Sequence, residues 1–191
     1  MNYFTADFHL GDKRQTILGR PFKNEYDCLD TILSNFNEII KPEDILYVLG
    51  DVATEECWLQ SIDEIDCEKI LIKGNHEILD KKIYEKHFIE VYDYLDLEIL
   101  SIPCRLHHYP TKDSIPERFS ICGHIHGAWK VQKNMLNVGV DVHHFKPLNE
   151  KQIEFYLNAI TNFYDEDVWC SQHISNLENN NRGKKGTYYK K

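Results

Sequence analysis

The chain has 191 residues and a mass of 22.6 kDa, enough for one domain whose core needs neither disulfides nor a partner. A hydrophobic fraction of 42% and a charged fraction of 28% are ordinary for a soluble globular protein. The net charge of −9 argues against a basic nucleic-acid coat or a basic membrane-surface protein, and the ten histidines are the unusual feature.

The N-terminus, Met1-Asn2-Tyr3-Phe4-Thr5-Ala6-Asp7, lacks a basic stretch followed by an apolar run, so no signal peptide is expected. Nor is any run of 18 apolar residues present that would predict a membrane span. The first strand is expected over Tyr3–Ala6. A helix follows over Glu25–Ile40, where Leu29, Ile32, Leu33, Phe36 and Ile39-Ile40 recur at three and four residues as one apolar stripe. Lys41-Pro42 ends it, because a residue before proline avoids the α region. Then come a strand over Ile45–Leu49, a helix over Glu55–Ile65 and a strand over Lys69–Ile72. A short helix over Asp80–His87 precedes strands over Ile102–Leu106, Arg118–Cys122 and Met135–Val142. The last helix spans Asn149–Phe163, with Ile153, Tyr156, Leu157 and Ile160 in register. Alternating strands and helices in the first half predict an α/β arrangement, and the strand-rich second half predicts an antiparallel portion.

The six cysteines, Cys28, Cys57, Cys67, Cys104, Cys122 and Cys170, are irregularly spaced. Without a secretory signal they are expected as free thiols in a reducing cytoplasm. A single domain over residues 1–175 and a polar, basic tail over 176–191 are expected. Residues 182–191 hold five basic residues and no acid; without those five of the 22 basic residues, the 31 acids leave the body at −14. The tail reads as a solvated segment, or alternatively as an electrostatic handle for a polyanion.

Five predicted strands end in polar clusters. Tyr3–Ala6 runs into Asp7-Phe8-His9, Ile45–Leu49 into Gly50-Asp51, and Lys69–Ile72 into Lys73-Gly74-Asn75-His76-Glu77. Ile102–Leu106 runs into His107-His108-Tyr109-Pro110, and Arg118–Cys122 into Gly123-His124-Ile125-His126. Sites in open α/β sheets form beyond the carboxyl ends of strands, so neighbouring strands would bring these clusters together. Asp7 and His9, two residues apart, are expected to point the same way along extended backbone, as are His124 and His126. His107 and His108 point to opposite faces, so one enters the site. Oxygen and nitrogen donors without thiolates suit Mn²⁺, Fe, Zn²⁺, Ni²⁺ or Co²⁺ and argue against a structural Cys₄-type zinc site.

This series resembles the calcineurin-like metallophosphoesterase superfamily, whose motifs are DxH, GD, GNH[ED], a His just before an x-Pro pair, and GHxH. The resemblance covers residues 1 to about 155, including Arg20-Pro21-Phe22 and Asn137-Val138-Gly139-Val140-Asp141, and is to its small, cap-less bacterial and phage-type members. It implies an α/β fold, a four-layer αββα sandwich with mixed sheets. It implies a dinuclear centre in which Asp7, His9 and His126 hold one divalent ion, Asn75, His108 and His124 the other, and Asp51 bridges both. Mn²⁺ is the expected metal. His76 would stand beside the substrate as the proton donor or transition-state stabiliser. Many members back that histidine with an acid shortly after GD; here Thr54 occupies the place, and Glu55 or Glu56, backbone or water is left to orient it.

The implied reaction is hydrolysis of a phosphate ester by metal-activated water. The chain leaves no room for a capping domain, so an open site is expected, suited to a phosphodiester of nucleotide or nucleic-acid type. A phosphomonoesterase is the alternative. A non-catalytic scaffold of the same fold is the alternative of another class, disfavoured because all seven ligand positions and His76 are filled. Nucleic-acid binding through the tail is disfavoured by the −14 body. Arg14 and Arg20 lie in the loop after the first ligand pair and are expected to meet substrate phosphate, the alternative being solvated loop charge, which is also the reading of Lys13. Expected partners are therefore a phosphate ester and no membrane.

Overall fold

The computed structural model describes residues 1–111 and 117–164. The expected boundary at 175, the basic tail, Cys170 and His173 lie outside the described residues.

Two five-stranded sheets face each other. The first has the order β10-β1-β2-β3-β4, from β1 (Asn2–Thr5), β2 (Ile45–Val48), β3 (Glu68–Ile72), β4 (Glu90–Tyr92) and β10 (Leu148–Asn149). β1 to β4 run parallel, and β10 joins β1 antiparallel. Parallel neighbours need crossovers, supplied by α1 (Glu25–Ile39), α2 (Glu56–Leu59) and α3 (Lys81–Tyr84). The second sheet has the order β5-β6-β7-β9-β8, from β5 (Tyr94–Ile99), β6 (Ile102–His107), β7 (Phe119–Cys122), β8 (Val131–Gln132) and β9 (Met135–Asn137). β6, β7 and β9 are parallel, and β5 and β8 flank them antiparallel.

Side-chain alternation along the strands builds two cores. Tyr3, Leu46, Val48 and Leu71 face Cys28, Ile32 and Phe36 of α1 together with Leu59, Ile62 and Ile65. On the other face, Phe4, Leu49, Ile70 and Ile72 meet Cys104, Leu106, Ile121 and Leu136 of the second sheet. Helix α4 (Glu150–Phe163) adds Ile153, Leu157 and Ile160 to that second core and touches strands of both sheets. The Asn149 side chain accepts from the Gln152 amide while the Gln152 side chain accepts from the Asn149 amide, a reciprocal cap that starts α4. The fold class is the expected one, α/β with two mixed sheets.

The boundaries differ where local backbone is bent. The helix expected over Glu55–Ile65 divides into α2 and a 3₁₀ turn over Gln60–Glu64, a tightening common where helices are short. The strand expected over Met135–Val142 stops at Asn137, and Val140–Val142 is a 3₁₀ turn. There the chain leaves the second sheet for the first: the Val138 amide still donates to Cys122 O, but the Val140 amide donates to Ala6 O. β4, β5, β8 and β10 were not expected.

Candidate metal centre

The carboxyl ends of β1, β2, β3, β6 and β7 all feed one cluster. Beyond β1 and β2 the two loops stay zipped: Asp7 N donates to Gly50 O at 3.0 Å, His9 N to Asp51 O at 2.9 Å, and Leu10 N to Val52 O at 2.8 Å. From the second sheet, Gly123 N donates to His108 O at 3.0 Å. A bridge between Ala6 and Gly139 joins the two sheets at this end.

The convergence does not come from extended alternation, as the two-residue spacing suggested. Asp7, His9, Asp51, His124 and His126 all have positive φ, at 61°, 49°, 57°, 74° and 47°. Non-glycine residues seldom adopt this left-handed region, and such strain concentrates at functional sites. β1, β2 and β7 thus end in sharp turns that aim polar side chains into the cluster. Gly50, at φ 84°, makes one such turn, and a Cβ there would lie 2.6 Å from His108 Nδ1.

Asp51 is the centre. Its Oδ2 lies 3.4 Å from His9 Nε2 and its Oδ1 lies 3.4 Å from His108 Nε2. Two groups of potential ligands share it: His9, Asp51 and His76, and Asp51, His108 and His124. His108 Nδ1 donates to Leu49 O at 2.7 Å, which turns Nε2 towards Asn75 Oδ1 at 3.1 Å and His124 Nδ1 at 3.2 Å. Asp7 is fully buried, and both its oxygens accept from the His124 amide at 2.9 Å. The His126 ring lies nearly parallel to that of His9, centroids 4.9 Å apart. Asp7 and His126 therefore border the cluster without joining either three-ligand group. His76 does join one; its ring stands edge-on to His9 at 4.7 Å and its amide donates to Asp51 Oδ1 at 2.9 Å.

This donor set fits divalent cations. His9 Nε2 is buried without a hydrogen-bond partner among the described residues. Nitrogen lone pairs and carboxylate oxygens this close repel until a proton or a cation sits among them. Burial pushes the His9 imidazole down to about 3, so it is neutral and able to ligate. Burial alone would raise the Asp51 carboxyl, but His108, the His76 amide and His9 outweigh it and hold it at about 2. Burial lifts the Asp7 carboxyl to about 6, against the pull of His108 and the His124 amide.

Three side chains that frame the cluster carried no expected role. Glu77 accepts from the amides of Asp51 and Val52 at 2.8 Å and of Gly74 at 2.6 Å, so one carboxylate ties the β2 and β3 loops together. Asn137 donates to His126 O and Trp129 O, holding the His126 loop, and accepts from Gly139 N. Asp141 accepts from His126 Nδ1 at 2.8 Å. Glu77 and Asp141 stood inside quoted motifs, and an acid closing a motif was the available signal.

The expected substrate contacts fall differently. Arg20 is 3% exposed and turned inward, its guanidinium held by Asp141 and by the carbonyls of Asp7 and Phe8. That replaces the phosphate clamp expected of it, because a buried, fully engaged fork has no donor to offer a substrate. Arg14 reaches solvent and forks onto Asp12 at 3.0 and 2.7 Å. His107 turns away from the cluster to Ser120 Oγ. Glu56 pairs with Lys86, and Glu55 accepts from Cys57 Sγ, so among the described residues neither reaches the His76 ring. His143 is buried on Asn137 O and packs against Tyr156.

The family described as calcineurin-like phosphoesterase matches residues 3–182. An uncharacterized protein of Methanocaldococcus jannaschii is 24% identical over 161 residues, covering 77% of this chain and 85% of that one. A crystal structure of a protein of unknown function from Aquifex aeolicus superposes with a TM-score of 0.67 at 27% identity, covering 82% of this chain and 98% of that one.

Proposed function

Since the chain belongs to the calcineurin-like phosphoesterase family, we propose that it is a dinuclear metal-dependent phosphoesterase that hydrolyses phosphodiesters of nucleotide or nucleic-acid type. The observation that carries this is Asp51, whose two oxygens face two separate ligand groups. In this reading Asp7, His9 and His126 hold one ion, Asn75, His108 and His124 the other, and Asp51 both. Two divalent ions there, Mn²⁺ first among those the donors suit, would stabilise charge on phosphoryl oxygens and make water acidic enough to attack near neutral pH.

The chain's own residues supply the rest. His108 and His126 are turned by their partners so that one ring nitrogen remains for ligation, and His9 Nε2 has no hydrogen-bond partner among the described residues. His76, held by its amide to Asp51, stands where it can protonate the departing oxygen, a contribution of about 10²–10⁴-fold. Its place in a three-ligand group makes ligation the competing role. Tyr109 is 50% exposed and rests on His124 at 4.6 Å, an aromatic face beside the cluster that supports a substrate bearing a base. No helix of the described residues is long and apolar enough to cross a membrane. A cytoplasmic location is part of the same proposal and rests on the sequence reading alone.

The test compares bis-p-nitrophenyl phosphate with p-nitrophenyl phosphate on Mn²⁺-loaded protein. Faster turnover of the diester is expected; preference for the monoester would make the protein a phosphomonoesterase. Asp51→Asn and His124→Ala should lose metal and activity together. His76→Ala should keep both ions and lose at least about 10²-fold in kcat. Loss of an ion from His76→Ala would make it a ligand instead.

A further inference from the structure

We infer that Arg20 and Asp141 are positioning residues for the proposed metal centre, acting through the His126 ring and through the backbone of Asp7 and Phe8. The inference rests on the metal-centre reading above and assigns two residues to it that touch neither substrate nor ion.

Arg20 and Asp141 are 121 residues apart and meet as a two-pronged pair, Nε to Oδ1 at 2.7 Å and Nη2 to Oδ2 at 3.0 Å. Of the three remaining guanidinium hydrogens two go to backbone, Nη1 to Phe8 O at 2.8 Å and Nη2 to Asp7 O at 2.5 Å, and the third, on Nη1, faces Cys28 Sγ at 3.7 Å. Those carbonyls belong to the turn in which Asp7 and His9 both have positive φ. The fork therefore fixes the peptides that aim two of the expected ligands. Asp141 Oδ2, while bound to Arg20, also accepts from His126 Nδ1 at 2.8 Å. A carboxylate only accepts, so Nδ1 carries the proton and Nε2 keeps its lone pair for an ion.

A buried guanidinium is a costly way to hold a loop, since its removal from water is offset only when its donors are matched. A hydrophobic side chain of that volume would fill the space. What it could not do is couple three elements to one planar fork: the loop after β1, the loop after β7 and the 3₁₀ turn after β9. Lysine, a point charge on a flexible stem, cannot meet two carbonyls and a carboxylate in that plane. Gly139 belongs to the same arrangement, for a Cβ there would lie 2.6 Å from Asp7 Oδ2.

Titration of metal-free protein with Mn²⁺ at pH 8 tests the inference. Asp141→Asn should bind one of the two ions about 10–100-fold more weakly and leave the other within about threefold. Arg20→Lys should do the same and leave KM for the ester unchanged, whereas a substrate clamp would raise KM. A folded Asp141→Asn with both affinities unaltered overturns the inference. Because Asp141→Asn strands a buried charge, the double variant Arg20→Met/Asp141→Asn, which removes the pair together, carries the same expectation. In the unmodified protein loaded with Zn²⁺, the ¹⁵N spectrum of the histidine side chains should show His126 protonated at Nδ1. Protonation at Nε2 overturns the inference whatever the variants do. A parent protein that takes up no ion overturns the metal-centre reading itself, and the inference falls with it; two ions in the parent with unaltered variants overturn the inference alone.

Discussion

His107 and His143 show what this fold does to an imidazole that lies outside the ligand cluster. Burial pushes each down to about 4, and each meets a neutral oxygen, from Ser120 and from the Asn137 backbone. The consequence for stability has a definite sign. His143 titrates near 6.5 when unfolded and near 4 when folded, so between those values the unfolded chain binds the extra proton. Its contribution is intact above pH 6.5 and is lost as pH falls towards 4. In EDTA, His143→Gln should flatten the acid side of a stability-against-pH curve by at most about 1.4 kcal/mol per pH unit across that window. Denaturant melts at pH 7, 5.5 and 4.5 check it, and an unchanged slope contradicts it. At this scale the cluster residues were legible, because each polar group closes an apolar strand. Asp141 closes a motif, but its role was not legible, because its partners His126 and Arg20 are chosen by the packing of two sheets rather than by spacing along the chain.

Among the elements, the turns after the strands matter more than the strands. A period of two predicts which side chains share a face only while the backbone stays extended, and at Asp7–His9 and His124–His126 it does not. The right residues were therefore grouped for a reason the structure replaces. β5 shows the opposite failure. Tyr94-Leu95-Asp96-Leu97-Glu98-Ile99 alternates as an edge strand should, but acids are depleted in strands and hid it. Asp96 is stabilised instead by its cross-strand neighbour Arg105, at 2.7 Å. Helix α1 was legible almost to its ends because it carries an apolar stripe and Lys41-Pro42 follows it; the structure adds a cap. Asn24 accepts from the amides of Tyr26 and Asp27 at 2.9 Å. Asn24→Ala should cost about 0.5–2 kcal/mol and lower Tm by about 2–4 °C per kcal/mol, with Mn²⁺ affinity unchanged. A parallel loss of metal would show that α1 also sets the geometry of the loop before it.

For the molecule as a whole, the cluster sits where two separately built sheets come together. The first sheet brings Asp7, His9, Asp51, Asn75 and His76, and the second brings His108, His124 and His126. His9, Asp51 and His76 come from the first sheet alone, but the proposed dinuclear set needs both sheets, so in this proposal the ion pair would bind the assembled sandwich and not the unfolded chain. Mass action then makes the metal a stabiliser, worth about 2.7 kcal/mol at a hundredfold excess over Kd. The second sheet could be foreseen only through the family resemblance, since its edge strands carry weak patterns and its pairing is long-range. The most direct measurement is therefore an equilibrium titration of metal-free protein with Mn²⁺, run alongside Asp51→Asn. Two ions per chain in the parent, with uptake lost in Asp51→Asn, is the predicted result. No uptake by the parent, or two ions bound undiminished by Asp51→Asn, would contradict the dinuclear centre on which the proposed hydrolysis depends.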